Sequence, residues 1–249
     1  MNLPENEIEN FIATSIMPLE GWINPDAAHV ICLALNHQYS LGDFGGILEF
    51  GVWKGKLLSL LCKFRADGES VTGVDAFVGL TEAQAIHRTQ EIRRNIESVC
   101  GSSEFVDIFR GRSTGYYQSP KIVMRKVISI DGGNDFLSRV GDLEYSSRFL
   151  TKYGIIIMNG VFNRFNPDSS QALFHFLASE SGRDFCVVAD CNNKTILCRR
   201  EAHSSYYDFF QLRISRRDLP LFVRTAEKLD SFGTHYSPRI EGIPIIPFA

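Results

Sequence analysis

This chain of 249 residues predicts an α/β fold built on a doubly wound parallel sheet, and three observations carry that expectation. Short apolar runs alternate with helical stretches, the pattern of a parallel sheet covered on both faces. Glu49, Asp75, Asp131 and Asn159 stand at or beside the ends of four runs, where such sheets bind ligands at the carboxyl ends of their strands. The first run, residues 47–50, leads directly into Gly51 and Gly55, two glycines four residues apart.

The elements follow in order. Residues 1–45 form an N-terminal helical segment, in which Asn24 and Pro25 read as N-cap and first helical position, with Ala28, Ile31, Leu33 and Leu35 behind them. After the buried strand 47–50, Gly51 turns where a side chain would clash, and Gly55 lets the helix 56–63 start against the sheet. Amide hydrogens left unpaired at that start face a ligand. A glycine pair after a strand also makes a plain tight turn. The next strand, 70–75, is again tipped by an acid, which favours an adenosine site with Asp75 accepting both hydroxyls of a ribose.

A polar helix, 82–99, carries the stripe Ile86, Ile92 and Ile96. Residues 105–109 read as the third strand and 123–131 as the fourth, ending in Asp131, Gly132 and Gly133. A helix over 140–150 precedes the fifth strand, 155–159, and Pro167 and Asp168 open another helix reaching Ser179. Strands 185–189 and 195–199 form a hairpin about the polar turn 190–194. These units make a core over 46–200 within one domain spanning 1–249. In the extension 201–249, residues 212–229 read as a helix and a return strand. Residues 240–249, with Pro244 and Pro247, read as an extended tail lying on its own or a neighbouring subunit, which would make a homo-oligomer.

Composition is that of a globular chain, 44% hydrophobic and 22% charged. A net charge of -3 gives no general field for nucleic acid; Arg213, Arg216 and Arg217 form the nearest basic group and read as a solvated helix face. The six cysteines, at 32, 62, 100, 186, 191 and 198, lack a CxxC pair and read as reduced core residues. No basic, apolar leader and no span-length apolar run is present, so the expectation is a cytoplasmic protein without a membrane or nucleic-acid partner. Asp43-Phe44-Gly45 copies a kinase metal-binding triplet outside its context and reads as a turn. The six histidines are dispersed, with His203 and His235 best placed to reach the site. Phe162, Phe165, Tyr206, Tyr207, Phe209 and Phe210 read either as an aromatic surface over the acceptor or as ordinary packing.

Glu49-Phe-Gly51-Val-Trp-Lys-Gly55 resembles the first motif of the class I S-adenosylmethionine-dependent methyltransferases. More narrowly, the order GWINPDAA, ILEFGVWKGK, VTGVDAF, ISIDGG, GIIIMNGVFNRF and NNKTILCRR looks like the macrocin O-methyltransferase type. That branch methylates sugar hydroxyls in natural-product and polysaccharide pathways. The resemblance spans residues 21–200. It implies a Rossmann-like, seven-stranded sheet, mostly parallel with the last strand antiparallel, and S-adenosylmethionine as methyl donor.

By the same resemblance, Glu49 and the backbone of Gly51, Val52, Trp53, Lys54 and Gly55 hold the donor's methionine moiety. Asp75 binds its ribose beside Ala76 and Phe77, while Gly111, Arg112 and Ser113 approach the adenine. Arg112 departs from the acid common there. Asp131 lies beside donor and acceptor as base or orienting group, and Asn159 bonds the acceptor, a sugar or small molecule. Related sugar enzymes hold a divalent metal on one acid after the fourth strand and two after the fifth. Asp131 matches the first, but Asn159 and Gly160 replace the others, and Asn134 replaces the histidine that follows the IDGG turn. No metal ligand set is therefore assigned. Two further readings remain open: a donor-binding, regulatory protein that has lost catalysis, and a nicotinamide-dependent oxidoreductase, which would want a third glycine in the turn.

Overall fold

The apolar runs become strands whose successive residues go to opposite faces of one sheet, as the period of two requires. In a computed structural model, which describes residues 3–118, 123–233 and 238–249, β1 (Gly46–Phe50) is buried along its whole length. Its Ile47 joins the core on one side of the sheet, while Leu48 and Phe50 join the core on the other. The remaining strands are β2 (Val71–Asp75), β3 (Val106–Arg110), β4 (Arg125–Ile130), β5 (Leu150–Asn159), β6 (Phe185–Cys191), β7 (Lys194–Arg199), β8 (Arg239–Ile240), β9 (Ile243–Pro244) and β10 (Ile246–Phe248). Eight of them form a sheet in the order β10-β6-β7-β5-β4-β1-β2-β3.

The seven expected strands are all present, and β7 runs antiparallel to both its neighbours, β5 and β6. The eighth strand is an addition: β10, from the tail, pairs in parallel with β6 of its own chain. Phe248 anchors it, with ring centroids 5.2 Å from Phe210 and 6.0 Å from Phe222.

The helices are α1 (Glu5–Phe11), α2 (Pro25–Ser40), α3 (Lys56–Cys62), α4 (Glu82–Cys100), α5 (Ser113–Tyr116), α6 (Phe136–Phe149), α7 (Pro167–Ala178), α8 (His203–Arg216) and α9 (Pro220–Ser231). Helices α2, α3, α4, α8 and α9 bury their apolar residues on the Ile47 side, α6 and α7 on the Leu48 side. Asn24 caps α2 as expected, accepting the Asp26 amide at 2.8 Å ahead of Pro25. A reciprocal Thr81–Gln84 capping box starts α4.

Three expectations are corrected. Residues 212–229 hold the end of α8 and most of α9, with no return strand. Pro220 suits a first helical turn, and Leu221, Phe222, Thr225 and Ala226 are buried at spacings that only a helix brings to one face. In α4 the buried stripe is Ala85, Ile92 and Ile96, whereas Ile86 is exposed. Helix α6 starts at Phe136 rather than 140, because Asp135 accepts the Ser138 amide at 2.9 Å and caps the earlier turn. Two arginines of the basic group are ion-paired, Arg213 with Glu5 and Asp218, and Arg217 with Asp230. Among the described residues no helix is long and apolar enough to cross a membrane.

Candidate active site

Strand register sets the site. Phe50 pairs with Val74 of β2 and Ile130 of β4, and Ile130 with Met158 of β5. The residues that follow, Gly51, Asp75, Asp131 and Asn159, therefore stand in one row at the strands' carboxyl ends. The Gly51 amide donates to the Val74 carbonyl and the Asp131 amide to the Phe50 carbonyl, each at 2.8 Å. A cleft of about 980 Å³ opens over this row.

Gly51 is the closest approach in it. Its φ is +85°, and a Cβ there would lie 2.5 Å from the Gly132 amide nitrogen and nearer still to the Asp131 carbonyl group. The Asp75 carboxylate is held on both oxygens by the chain itself, accepting the Trp53 and Phe77 amides at 2.7 Å. Trp53 and Phe77 both take left-handed backbone angles, φ +50° and +46°. Such angles are uncommon for bulky residues and gather at functional turns. Each carboxylate oxygen keeps a second lone pair for a ligand hydroxyl.

Glu49 is almost wholly buried; among the described residues only Ser129 Oγ, at 3.3 Å, donates to it, and its Oε2 has no partner. Burial pushes its carboxyl well above the usual range, with the charge of Asp131 adding to the effect and Lys194 opposing it. An orphaned, buried acid on a cleft wall suits a cationic ligand group.

Of the sequence-predicted residues, Glu49, Gly51, Val52, Trp53, Asp75, Ala76, Gly111, Arg112, Ser113, Asp131 and Asn159 all line this cleft. Lys54, Gly55 and Phe77 do not. Lys54 points away to Glu20 and Glu91. Gly55 serves the packing of α3 on α4, since a Cβ there would meet Ile92 at 3.0 Å. Phe77 is buried and contributes through its backbone. The aromatic set is not a surface over the cleft: Tyr206 and Phe210 lie fully in the core, and Phe209 stacks on His37. Phe162 and Phe165 are exposed, but neither lines the cleft. His203 bonds the Pro244 carbonyl at 2.8 Å, and His235 lies outside the described residues.

The cleft also holds residues that lie in the motifs GWINPDAA and NNKTILCRR but to which the sequence assigns no site role. Trp22 lines its rim and packs on Trp53 with ring centroids 4.5 Å apart. Asn192, Asn193 and Lys194 reach it from the hairpin turn, where both asparagines have positive φ. One signal for them was available. An antiparallel seventh strand begins at the carboxyl ends of its parallel neighbours, so its first residues must enter the site.

Asp131 Oδ2 is paired with Lys194 Nζ at 2.8 Å. The loop carrying Asp131 is fixed from below by Arg139, fully buried, which donates to the Ile130 carbonyl at 2.6 Å and to Asn134 Oδ1 at 2.8 Å. Asn134 thus spends its oxygen on Arg139. Asn159 Oδ1 accepts from Asn193 at 3.2 Å. Gly160 has φ +78°, and a Cβ there would lie 2.9 Å from Asn166 Nδ2. The three positions that would hold a divalent metal thus offer one carboxylate already paired with an ammonium, one amide and one bare backbone. They do not fit a hard cation that wants several anionic oxygens.

On the cleft wall near Ser113, Asp142 is buried against Tyr117, which donates to Oδ1, while Oδ2 has no hydrogen-bond partner among the described residues. Burial raises its carboxyl to about 6, with Tyr117, Ser113 and Arg139 pulling it back. A carboxyl raised by folding contributes stability that is full below its unfolded value and lost as pH rises through about 6. Asp142→Asn keeps the acceptor for Tyr117 and removes the charge. It should stabilise the protein at neutral pH by up to roughly 3 kcal/mol, and the difference should vanish in acid. Chemical denaturation across that pH range checks it; a variant less stable than the parent at neutral pH would contradict it.

No protein-family model and no curated protein matches the chain in sequence. Solved structures do match in fold. The O-methyltransferase NovP is 17% identical with a TM-score of 0.56, over 70% of this chain and 80% of its own. CalS11, a TDP-rhamnose 3'-O-methyltransferase of calicheamicin biosynthesis, is 16% identical with a TM-score of 0.55, over 80% and 88%. An O-methyltransferase from Bacillus cereus in complex with S-adenosylhomocysteine is 15% identical with a TM-score of 0.51, over 78% and 87%. Sheet order, strand-end cleft and these likenesses together give the chain the fold of the class I S-adenosylmethionine-dependent methyltransferases.

Proposed function

We propose that the protein is an S-adenosylmethionine-dependent O-methyltransferase, a single domain acting on a hydroxyl of a sugar or natural-product acceptor, with a degraded metal site. The observation that carries this reading is one cleft lined together by the orphaned acid Glu49, the Gly51 bend and the doubly anchored Asp75. The methyltransferase likenesses support it, and one of them, CalS11, is by name a sugar O-methyltransferase of natural-product biosynthesis.

When bound, the donor supplies a methyl group on a sulfonium, open to in-line displacement. Glu49 would hold its amino group, the Gly51 bend would leave room for the part nearest the backbone, and Asp75 would accept its ribose hydroxyls. Asp131, at the centre of the row, takes the acceptor's proton. Asn159 lies next to it and is placed to hydrogen-bond the acceptor. Holding oxygen and methyl carbon in line is worth roughly 7–11 kcal/mol in favourable intramolecular cases.

Calorimetry with S-adenosylhomocysteine should show binding that Asp75→Ala weakens at least about tenfold, the loss expected when buried ligand hydroxyls lose a charged acceptor. Radiolabelled donor offered with sugar nucleotides should yield transfer that Asp131→Ala abolishes. Thermal protection by a nicotinamide cofactor but not by S-adenosylhomocysteine would sink the reading. One observation favours a second reading, a donor-binding protein without catalysis: the candidate base Asp131 is already paired with Lys194. Donor binding with no transfer to any acceptor would select it.

A further inference from the structure

The cleft contains a cation built from the chain. Lys194 opens β7, opposite Asn159 in the antiparallel register, and its side chain is 4% exposed. Its Nζ donates to Asp131 Oδ2 at 2.8 Å and makes no other hydrogen bond among the described residues. An ammonium has three N–H donors, so two remain for a ligand at a residue that lines the cleft. Burying an ammonium is costly unless its charge and protons are used. Asp131 supplies the charge partner; among the described residues none uses the remaining protons.

The geometry points to Lys194 as a catalytic residue that holds the acceptor oxygen beside Asp131, a resident cation where the donor set refuses a divalent metal. Several features keep the place for the lysine. Gly160 supplies no carboxylate, and any side chain there would be strained by its left-handed backbone, φ +78°, and would have to displace the Asn166 amide, 2.9 Å from an added Cβ. Asn159 adds no charge and is bonded to Asn193. The charged groups facing the ammonium are Asp131, in contact, and Glu49 behind it, whose carboxyl feels both. Arg139 lies beneath the same loop with its guanidinium committed to Ile130 and Asn134.

The chemistry rests on the methyltransferase reading and balances as follows. The acceptor hydroxyl oxygen accepts a hydrogen bond from Lys194 Nζ and gives its proton to Asp131. Its new bond to the methyl carbon forms as the sulfur–carbon bond breaks, and that electron pair stays on the sulfur of the neutral thioether. Lys194 keeps its proton and its charge throughout, and Asp131 returns its proton to solvent.

Two measurements test this, and they fail separately. Electron paramagnetic resonance with Mn²⁺ needs neither donor nor acceptor. The parent protein should leave Mn²⁺ free, whereas a parent protein that binds it at a site removed by Asp131→Ala would overturn the resident-cation assignment. The transfer assay is then run with and without EDTA. EDTA should change nothing, and Lys194→Met, which keeps the stem, should lower kcat about a hundredfold or more, the loss seen when one donor to a developing charge is removed. The Kd for S-adenosylhomocysteine should hold within about threefold and Lys194→Arg should recover part of kcat, because donor binding does not use the ammonium and a guanidinium restores the charge. Unchanged kcat in Lys194→Met overturns the proposal. Failure of the parent protein to bind S-adenosylhomocysteine overturns the methyltransferase reading instead and leaves the Mn²⁺ result to judge the cation.

Discussion

Gly51→Ala should destabilise the protein by roughly 2–6 kcal/mol and abolish donor binding, because left-handed strain and overpacking each cost about 1–3 kcal/mol. Both apply here. The backbone sits at φ +85°, and the added methyl meets the Asp131 carbonyl and the Gly132 amide, backbone atoms with no rotamer to escape through. Relief would require β1 and β4 to part at the place where Asp131 is hydrogen-bonded to Phe50, which would also disperse the row of site residues. Gly68 is the control, having φ +83° with nothing within 4 Å of a Cβ. Gly68→Ala should therefore lose only the strain, roughly 1–3 kcal/mol. Denaturant midpoints for the two variants decide the matter: equal losses would remove the close approach from the explanation.

Glu49→Gln should weaken S-adenosylhomocysteine binding by roughly 2–5 kcal/mol, the usual loss when one partner of a buried charge pair is truncated. The same variant should be more stable than its parent when free, and the sign follows from the direction of the Glu49 shift. Burial holds that carboxyl well above its ordinary value, so its contribution to stability is full in acid and is lost as pH rises through the folded value. The glutamine carries no such loss, and its advantage should grow with pH. A cationic ligand reverses the preference and draws the carboxyl into its charged form. Donor binding by the parent protein should therefore release a proton in mildly acidic buffer, seen as a buffer-dependent calorimetric enthalpy, and the variant should release none. A variant that binds as tightly as its parent would show that the orphaned oxygen of Glu49 is not the ligand's partner.

Much of the site was legible in order along the chain because parallel strands deliver their carboxyl ends to one line. Glu49, Asp75, Asp131 and Asn159 needed only that rule, and all four line the cleft. The rule is silent on neighbours contributed from the opposite direction. Lys194 reads in sequence as part of a polar turn because its place in the cleft depends on β7 running antiparallel beside β5. Lys54, Gly55 and Phe77 fall within or beside motifs but turn elsewhere, since a loop residue's direction is set by packing partners such as Glu91 and Ile92. In the extension, the spacing of Leu221, Phe222, Thr225 and Ala226 is helical in the sequence itself, and these residues form the buried face of α9 where a return strand is the expectation.

Alternation of apolar strands with helices determined the doubly wound sheet, and the acid and glycine positions determined where a ligand would lie, because both depend on local periodicity and backbone freedom. Tertiary structure alone decided that Asp131 is paired with Lys194, that Glu49 keeps an orphaned oxygen, and that the tail supplies an eighth strand. These depend on distances between residues far apart in sequence. Charge pairing, burial and strand addition arise only when the chain has brought those residues together.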